Sequence, residues 1–229
     1  MTTRERLAEH FPAFALEVRT PRLTLRLPDD DDLLDLAEVG AGGVHPPDEM
    51  PFETRWTEVP PPFQQRNTLG FFWTQRTTLQ GDAPHLTLVA VVDGEVVGTQ
   101  AMMTSSWSGT RTFETGSWLG LAHQGRGLGK EMRIAVLHLA FDGFGALRCT
   151  TAAHDDNPAS IGVTRALGYR PDGNELVASP DGPRVLERFV MDRSDFESVR
   201  RDDIELVGAK AVVELFGSER PPAGPASGS

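Results

Sequence analysis

The stretch His123-Gln124-Gly125-Arg126-Gly127-Leu128-Gly129-Lys130 decides how the chain is read. It stands between a segment of strand character, residues 112–121 (T-F-E-T-G-S-W-L-G-L), and one of helical character, residues 129–141, with Met132, Ala135, Val136, Leu139 and Ala140 at helical spacing. Glycines at such a junction let the backbone come close to a ligand. They also leave N–H groups at the positive end of a helix, an arrangement suited to a pyrophosphate. A P-loop needs Gly at 124 and Ser or Thr at 131, where Gln124 and Glu131 stand. A dinucleotide fingerprint needs Gly at 130 or 132, where Lys130 and Met132 stand. What fits is Gln-x-x-Gly-x-Gly, from Gln124 to Gly129.

Upstream of this turn, residues 86–92 (L-T-L-V-A-V-V) and 95–103 (E-V-V-G-T-Q-A-M-M) flank Asp93-Gly94, a strong hairpin signal. Residues 22–27 (R-L-T-L-R-L) alternate as a half-buried strand between Pro21 and Pro28. The carboxylates Asp29 to Asp32 precede L-L-D-L-A-E-V and suit helix capping, with a metal-binding cluster as the alternative. Residues 40–62 are too proline-rich for regular structure, and Met50, Phe52 and Trp56 within them either wall a substrate site or pack on the core. Residues 64–79 predict a helix whose face carries Leu69, Phe72, Trp73 and Arg76. Downstream, residues 149–153 predict a strand, 158–167 a helix, 176–190 a hairpin around Ser179-Pro180-Asp181-Gly182-Pro183, and 203–216 one or two more strands. The order implies a mixed α/β sheet in one domain over residues 22–193, between an N-terminal extension (1–21) and a C-terminal extension (194–216), with a disordered tail at 217–229.

Composition narrows the function. The 229 residues are 39% hydrophobic and 24% charged, ordinary for a globular protein. A net charge of −11 and the lack of a dense Lys/Arg run argue against a nucleic-acid binder and favour a cationic or amine-bearing partner. Cys149 is the single cysteine, so neither an internal disulfide nor a thiolate metal cage can form. No apolar leader opens the chain and no apolar run approaches the roughly 20 residues of a spanning helix, which predicts a cytoplasmic protein that does not meet a membrane. His45, His85, His123, His138 and His154 lack metal-ligand spacing, and His154-Asp155-Asp156 is read as a solvated strand end. No metal is expected.

Two further motifs follow the glycine turn's logic. Asn157-Pro158-Ala159-Ser160 and then Val163, Leu167, Gly168 and Tyr169 give N-x-x-S-x-x-V-x-x-x-L-G-aromatic, and Glu114, Gly116 and Trp118 give E-x-G-x-W. With Gln124 to Gly129, these motifs resemble the GCN5-related N-acetyltransferase (GNAT) superfamily, and within it the ribosomal-protein alanine acetyltransferase (RimJ/RimL-like) branch. The resemblance implies a single-domain α/β fold whose mixed, mostly antiparallel sheet is splayed between Trp118 and Thr151 and flanked by helices. It implies acetyl-CoA or another short acyl-CoA as donor, and direct attack by a primary amine, a peptide N-terminal α-amine or a small-molecule amine, in a ternary complex. A catalytically silent acyl-CoA-binding or sensing module is the alternative. Oligomeric state, including a homodimer, is left open.

By the same resemblance, Gln124, Gly125, Arg126, Gly127, Leu128, Gly129 and Lys130 would hold the pyrophosphate, and Trp118, Leu119 and Leu121 the pantetheine arm. Glu114 is the candidate base, or else a surface carboxylate of an edge strand. Asn157 would orient the pantetheine or a water, and it also suits a helix N-cap followed by proline. Ser160 would face the CoA sulfur. Many superfamily members carry a tyrosine acid seven residues after the Asn, where this chain has Thr164. Its one tyrosine, Tyr169, is read as a core residue with its hydroxyl at the rim.

Overall fold

Asp93 and Gly94 both have positive φ, 51° and 88°, the geometry of a type I′ turn, and they join β3 (His85–Val92) to β4 (Glu95–Met103). This hairpin lies at the centre of a nine-stranded sheet. The structure is a computed structural model and describes residues 1–179 and 182–217. In sequence order the remaining strands are β1 (Glu17–Arg19), β2 (Thr24–Arg26), β5 (Thr112–Leu119), β6 (Arg148–His154), β7 (Arg170–Val177), β8 (Arg184–Asp192) and β9 (Glu205–Val207). They are ordered β7-β8-β6-β5-β4-β3-β2-β1-β9. Every pairing is antiparallel except β5 with β6, so the sheet is mixed and mostly antiparallel.

Helices cover both faces. On one side α2 (Asp30–Ala41) and α3 (Phe63–Gln75) pack Leu33, Leu36 and Phe72 against Val89, Val91 and Val96. On the other, α5 (Leu128–His138) and α6 (Pro158–Ala166) belong to a larger core with Leu25, Leu88, Phe113, Met132 and Phe189. Short helices α1 (Thr3–His10), α4 (Trp107–Thr110), α7 (Arg193–Glu197) and α8 (Ala209–Val213) complete the α-helices among the described residues.

The acidic run at 29–32 is a cap. Asp29 accepts the Asp32 N–H at 3.0 Å, Asp32 accepts the Asp29 N–H at 3.2 Å, and Arg4 and Arg26 neutralise the buried Asp32. The face expected for 64–79 is rotated. Phe72 is buried and Leu69 partly so, but Trp73 is 52% exposed and Gln64 and Thr68 turn inward. The inward polar groups are satisfied, Gln64 by the Gly40 carbonyl and Thr68 by its own helix, so α3 can lie on α2 without an all-apolar seam.

The segments outside 22–193 are built into the sheet. β1 pairs with β2 on one side and with β9 on the other, while residues 209–213 form α8 rather than another strand. Two three-residue strands carry too little periodicity to read locally. The expected tail lies outside the described residues beyond Gly217, as do Pro180 and Asp181 of the expected hairpin. Among the described residues no helix is long and apolar enough to cross a membrane.

One close approach fixes the end of β5. A Cβ added to Gly98 on β4 would lie 2.2 Å from the Trp118 carbonyl oxygen and 2.8 Å from Leu119 Cα. Gly98→Ala is therefore expected to destabilise the protein by about 1–3 kcal/mol, the usual scale of overpacking. Thermal unfolding reads the effect directly, and an unchanged Tm would show that β5 can shift to make room.

Candidate active site

The parallel pairing of β5 and β6 lasts three residues, Thr112, Phe113 and Glu114 against Arg148, Cys149 and Thr150, and then the strands part. At the apex two threonines bridge them. Thr115 Oγ1 donates to the Thr150 carbonyl at 3.2 Å, and Thr151 Oγ1 donates to the Thr115 carbonyl at 2.9 Å. Beyond this point β5 has no strand partner on its β6 side as far as Leu119, which gives a slot edged by main-chain groups.

The glycine turn stands at the mouth of that slot. Gly125 and Gly127 have φ of 72° and 77°, and Gly127 is the residue before the first turn of α5. Among the described residues, no carbonyl or side chain accepts from the N–H groups of residues 125–130. They comprise the turn and the helix start, where partners are missing by construction. Gln124 does something else. Its side-chain amide donates to the Leu119 carbonyl at 2.9 Å and to the Val44 carbonyl at 2.7 Å, so it holds the turn to the end of β5 and to the start of the long loop. Arg22 braces the turn from below, donating to the Arg126 carbonyl and pairing with buried Glu131. Burial alone would raise the Glu131 carboxyl, but hydrogen bonds from Thr20 and Arg22 outweigh it and the net pKa is lowered. A cavity of about 450 Å³ opens beside this brace, lined by Gly127, Lys130, Ile134, Leu167 and Arg201 among others.

On the opposite face of the sheet, Glu114 sits on the last paired residue before the strands part. Its side chain is 45% exposed, and Arg188 Nη2 on β8 lies 3.9 Å away. The long loop folds over this face. His45, Phe52, Trp56 and Trp118 form a run of ring contacts with centroids 5.9, 5.2 and 5.4 Å apart. Arg184 on β8 holds the loop down by donating to the Met50 carbonyl at 2.7 Å and to Asp156 at 2.6 Å. Met50, Phe52 and Trp56 are thus brought to the Glu114 side of the sheet. Asn157 caps α6, its Oδ1 accepting the Ser160 N–H at 3.0 Å, and Thr164 is fully buried with its hydroxyl turned to the Ser160 carbonyl.

The interior of the slot is more polar than the sequence suggests. Arg133, one turn and a half into α5, is 3% exposed and donates to Thr151 Oγ1 at 3.0 Å and Ser117 Oγ at 3.4 Å. Its Nε has no partner, and neither have His154 Nδ1, Gln100 Oε1 or the Tyr169 hydroxyl, all buried. Two expectations are corrected here. His154 is 3% exposed, not a solvated strand end, because β8 pairs along the whole of β6. Tyr169 places its hydroxyl inside, close to Arg133 and Thr115 without a hydrogen bond to either, and burial pushes its pKa up to about 12. The phenol is therefore a neutral donor at physiological pH. The one signal for Arg133 was a cation inside the apolar run 132–141.

A sheet opened between two parallel strands, with unpaired N–H groups at one end and a carboxylate on the far face, is an arrangement that can bring an anionic donor and an acceptor together through a slot. Residues 22–170 match the family model described as the acetyltransferase (GNAT) domain, and the chain belongs to that family. It is an N-acetyltransferase of the GNAT type. Solved structures share the fold at low identity. A GCN5-related N-acetyltransferase from Brucella melitensis is 16% identical with a TM-score of 0.64, over 86% of this chain and 83% of that one. Ribosomal-protein-S5-alanine acetyltransferase from Vibrio fischeri is 17% identical with a TM-score of 0.61, over 79% and 98%. RimL, a ribosomal L7/L12 alpha-N-protein acetyltransferase in complex with coenzyme A, is 14% identical with a TM-score of 0.59, over 76% and 95%. The family uses acyl-CoA.

Proposed function

We propose that the protein transfers the acyl group of an acyl-CoA, acetyl-CoA first among them, to a primary amine that enters from the Glu114 side of the sheet. The observation that carries the reading is the slot itself, with the unpaired N–H groups of residues 125–130 at its mouth and Glu114 at its apex. Residues 125–130 would hold the pyrophosphate and Trp118, Leu119 and Leu121 the pantetheine arm, while Gln124 positions the turn. Glu114, directly or through a water, would take the proton of the attacking amine, and Ser160 would face the departing sulfur. Asn157 would support this end of the slot through its cap. No metal enters the scheme.

The acceptor is read from chemistry. An α-amine of pKa about 7.7–8.0 is roughly a tenth neutral at pH 7, whereas a lysine near 10.4 is neutral well under a thousandth of the time. A peptide N-terminus or a small-molecule amine is therefore the favoured acceptor, and the −11 charge suits a basic one. Met50, Phe52 and Trp56 would wall its site. Thiol release from acetyl-CoA across a panel of amines tests the proposal. Phe52→Ala and Trp56→Ala are expected to raise the acceptor KM several-fold and the acetyl-CoA KM little. Equal effects on both would return these residues to a packing role. CoA binding with no thiol release for any amine would overturn the proposal.

A further inference from the structure

We propose that Arg133, with Ser117, Thr151 and Tyr169 around it, forms a carboxylate-recognition site at the inner end of the slot, so that the protein takes as a further donor a CoA thioester whose acyl chain ends in a carboxylate. The inference rests on the acyl-CoA reading above and extends it to the far end of the acyl group.

The argument begins with a charge that lacks a partner. Arg133 is buried, and its two hydrogen bonds go to hydroxyls, which satisfy geometry without neutralising the guanidinium. Among the described residues no carboxylate lies within ion-pair distance of it. Glu131, two positions earlier on α5, is held by Thr20 and Arg22. Glu114 faces the other side of the sheet beside Arg188. Cys149 on β6 is fully buried with its thiol pushed up, hence neutral, and Tyr169 is a neutral phenol. A guanidinium taken out of water without a counter-charge is strongly unfavourable, and an apolar side chain beside Met132 and Ile134 would fill the same space without that penalty. Arg133 Nε and the Tyr169 hydroxyl are each buried without a hydrogen-bond partner, and both can donate to a carboxylate.

The anion must come with the ligand, and an acyl-CoA limits which part of it can serve. Its phosphates meet the turn at residues 125–130, whereas the Arg133 guanidinium reaches Thr151 and Ser117 at the other end of the slot, where β5 and β6 part. The pantetheine arm and the thioester are neutral. The next charge inward is the end of the acyl chain, as in succinyl-CoA. In the transfer, the amine lone pair forms the C–N bond and the C–S bond breaks with its electron pair on sulfur. The amine proton passes by way of Glu114 to the thiolate, giving the N-succinyl amide and CoA thiol, while the distal carboxylate stays on Arg133 throughout.

Calorimetry of the full chain with CoA, acetyl-CoA, butyryl-CoA and succinyl-CoA tests this, butyryl being the uncharged chain of equal length. Wild-type protein is expected to bind succinyl-CoA at least about tenfold more tightly than butyryl-CoA, the scale of one charged hydrogen-bonded contact. Arg133→Met is expected to bring the ratio to about one, and Arg133→Lys to an intermediate value because charge is kept and the fork lost. A wild-type ratio of one overturns the proposal whether or not the variants fold. So does a ratio that survives in folded Arg133→Met, which would make Arg133 a brace between β5 and β6. Failure of CoA itself to bind overturns the acyl-CoA reading as well, whereas CoA binding with a ratio of one overturns this inference alone.

Discussion

Glu114→Gln is expected to lower kcat roughly a hundredfold or more and to leave acyl-CoA affinity unchanged, the pattern of a general base removed from chemistry and not from binding. Glutamine keeps the shape and the hydrogen-bonding reach but cannot accept the amine proton at neutral pH. The position supports the split. Glu114 is on the last β5–β6 pair, on the face opposite α5, where it can meet an acceptor without touching the glycine turn. Steady-state rates from pH 6 to 9 with parallel calorimetry decide it. Wild-type turnover across that range would pass the role to water or to another group on the same face.

Gly127→Val is expected to reduce CoA affinity by roughly a hundredfold while the protein stays folded. With φ at 77°, Gly127 occupies a region that an L side chain reaches only at about 1–2 kcal/mol, and a β-branched residue is the worst fit. That strain is small beside a usual domain stability of about 5–15 kcal/mol. Relief of it rotates the peptide that feeds the first turn of α5, and the N–H groups of residues 125–130 no longer converge. The built Cβ would also stand 3.5 Å from Arg22 Nη2, so the branches of valine crowd the brace that holds the Arg126 carbonyl. Unchanged CoA affinity in a folded Gly127→Val protein would remove the turn from the donor site.

Features with short-range causes were legible in the sequence. The Asp93-Gly94 turn, the Asp29 and Asn157 caps and the glycine turn each rest on a local rule about φ or an unpaired N–H, and each stands where the sequence placed it. What was hidden depends on distant partners. The 129–141 segment shows one apolar stripe in sequence, yet nearly all of α5 is buried, because the sheet covers one side and residues 193–213 close over the other. The burial of Arg133 therefore shows only once β6 and Tyr169 are packed against it. In the same way, nothing local says that Gln124 reaches Val44 or that Arg184 reaches Met50, the two contacts that tie the long loop to the slot.

The pairing of β1 with β9 has a consequence for how the molecule is made. Residues 17–19 leave the ribosome early and 205–207 late, so β1 waits as a bare edge while nearly the whole sheet is synthesised. At about 5–20 residues per second the wait is roughly ten to forty seconds. During it the N–H and C=O groups of residues 17–19 are a template for any passing strand. The charged ends of the segment, Glu17 and Arg19, which flank the single buried Val18, make that template a poor one for apolar strangers, and Glu205 later seals it with an ion pair to Arg19. Nascent chains that stop short of residue 205 thus carry β1 as an open edge guarded only by these two charges.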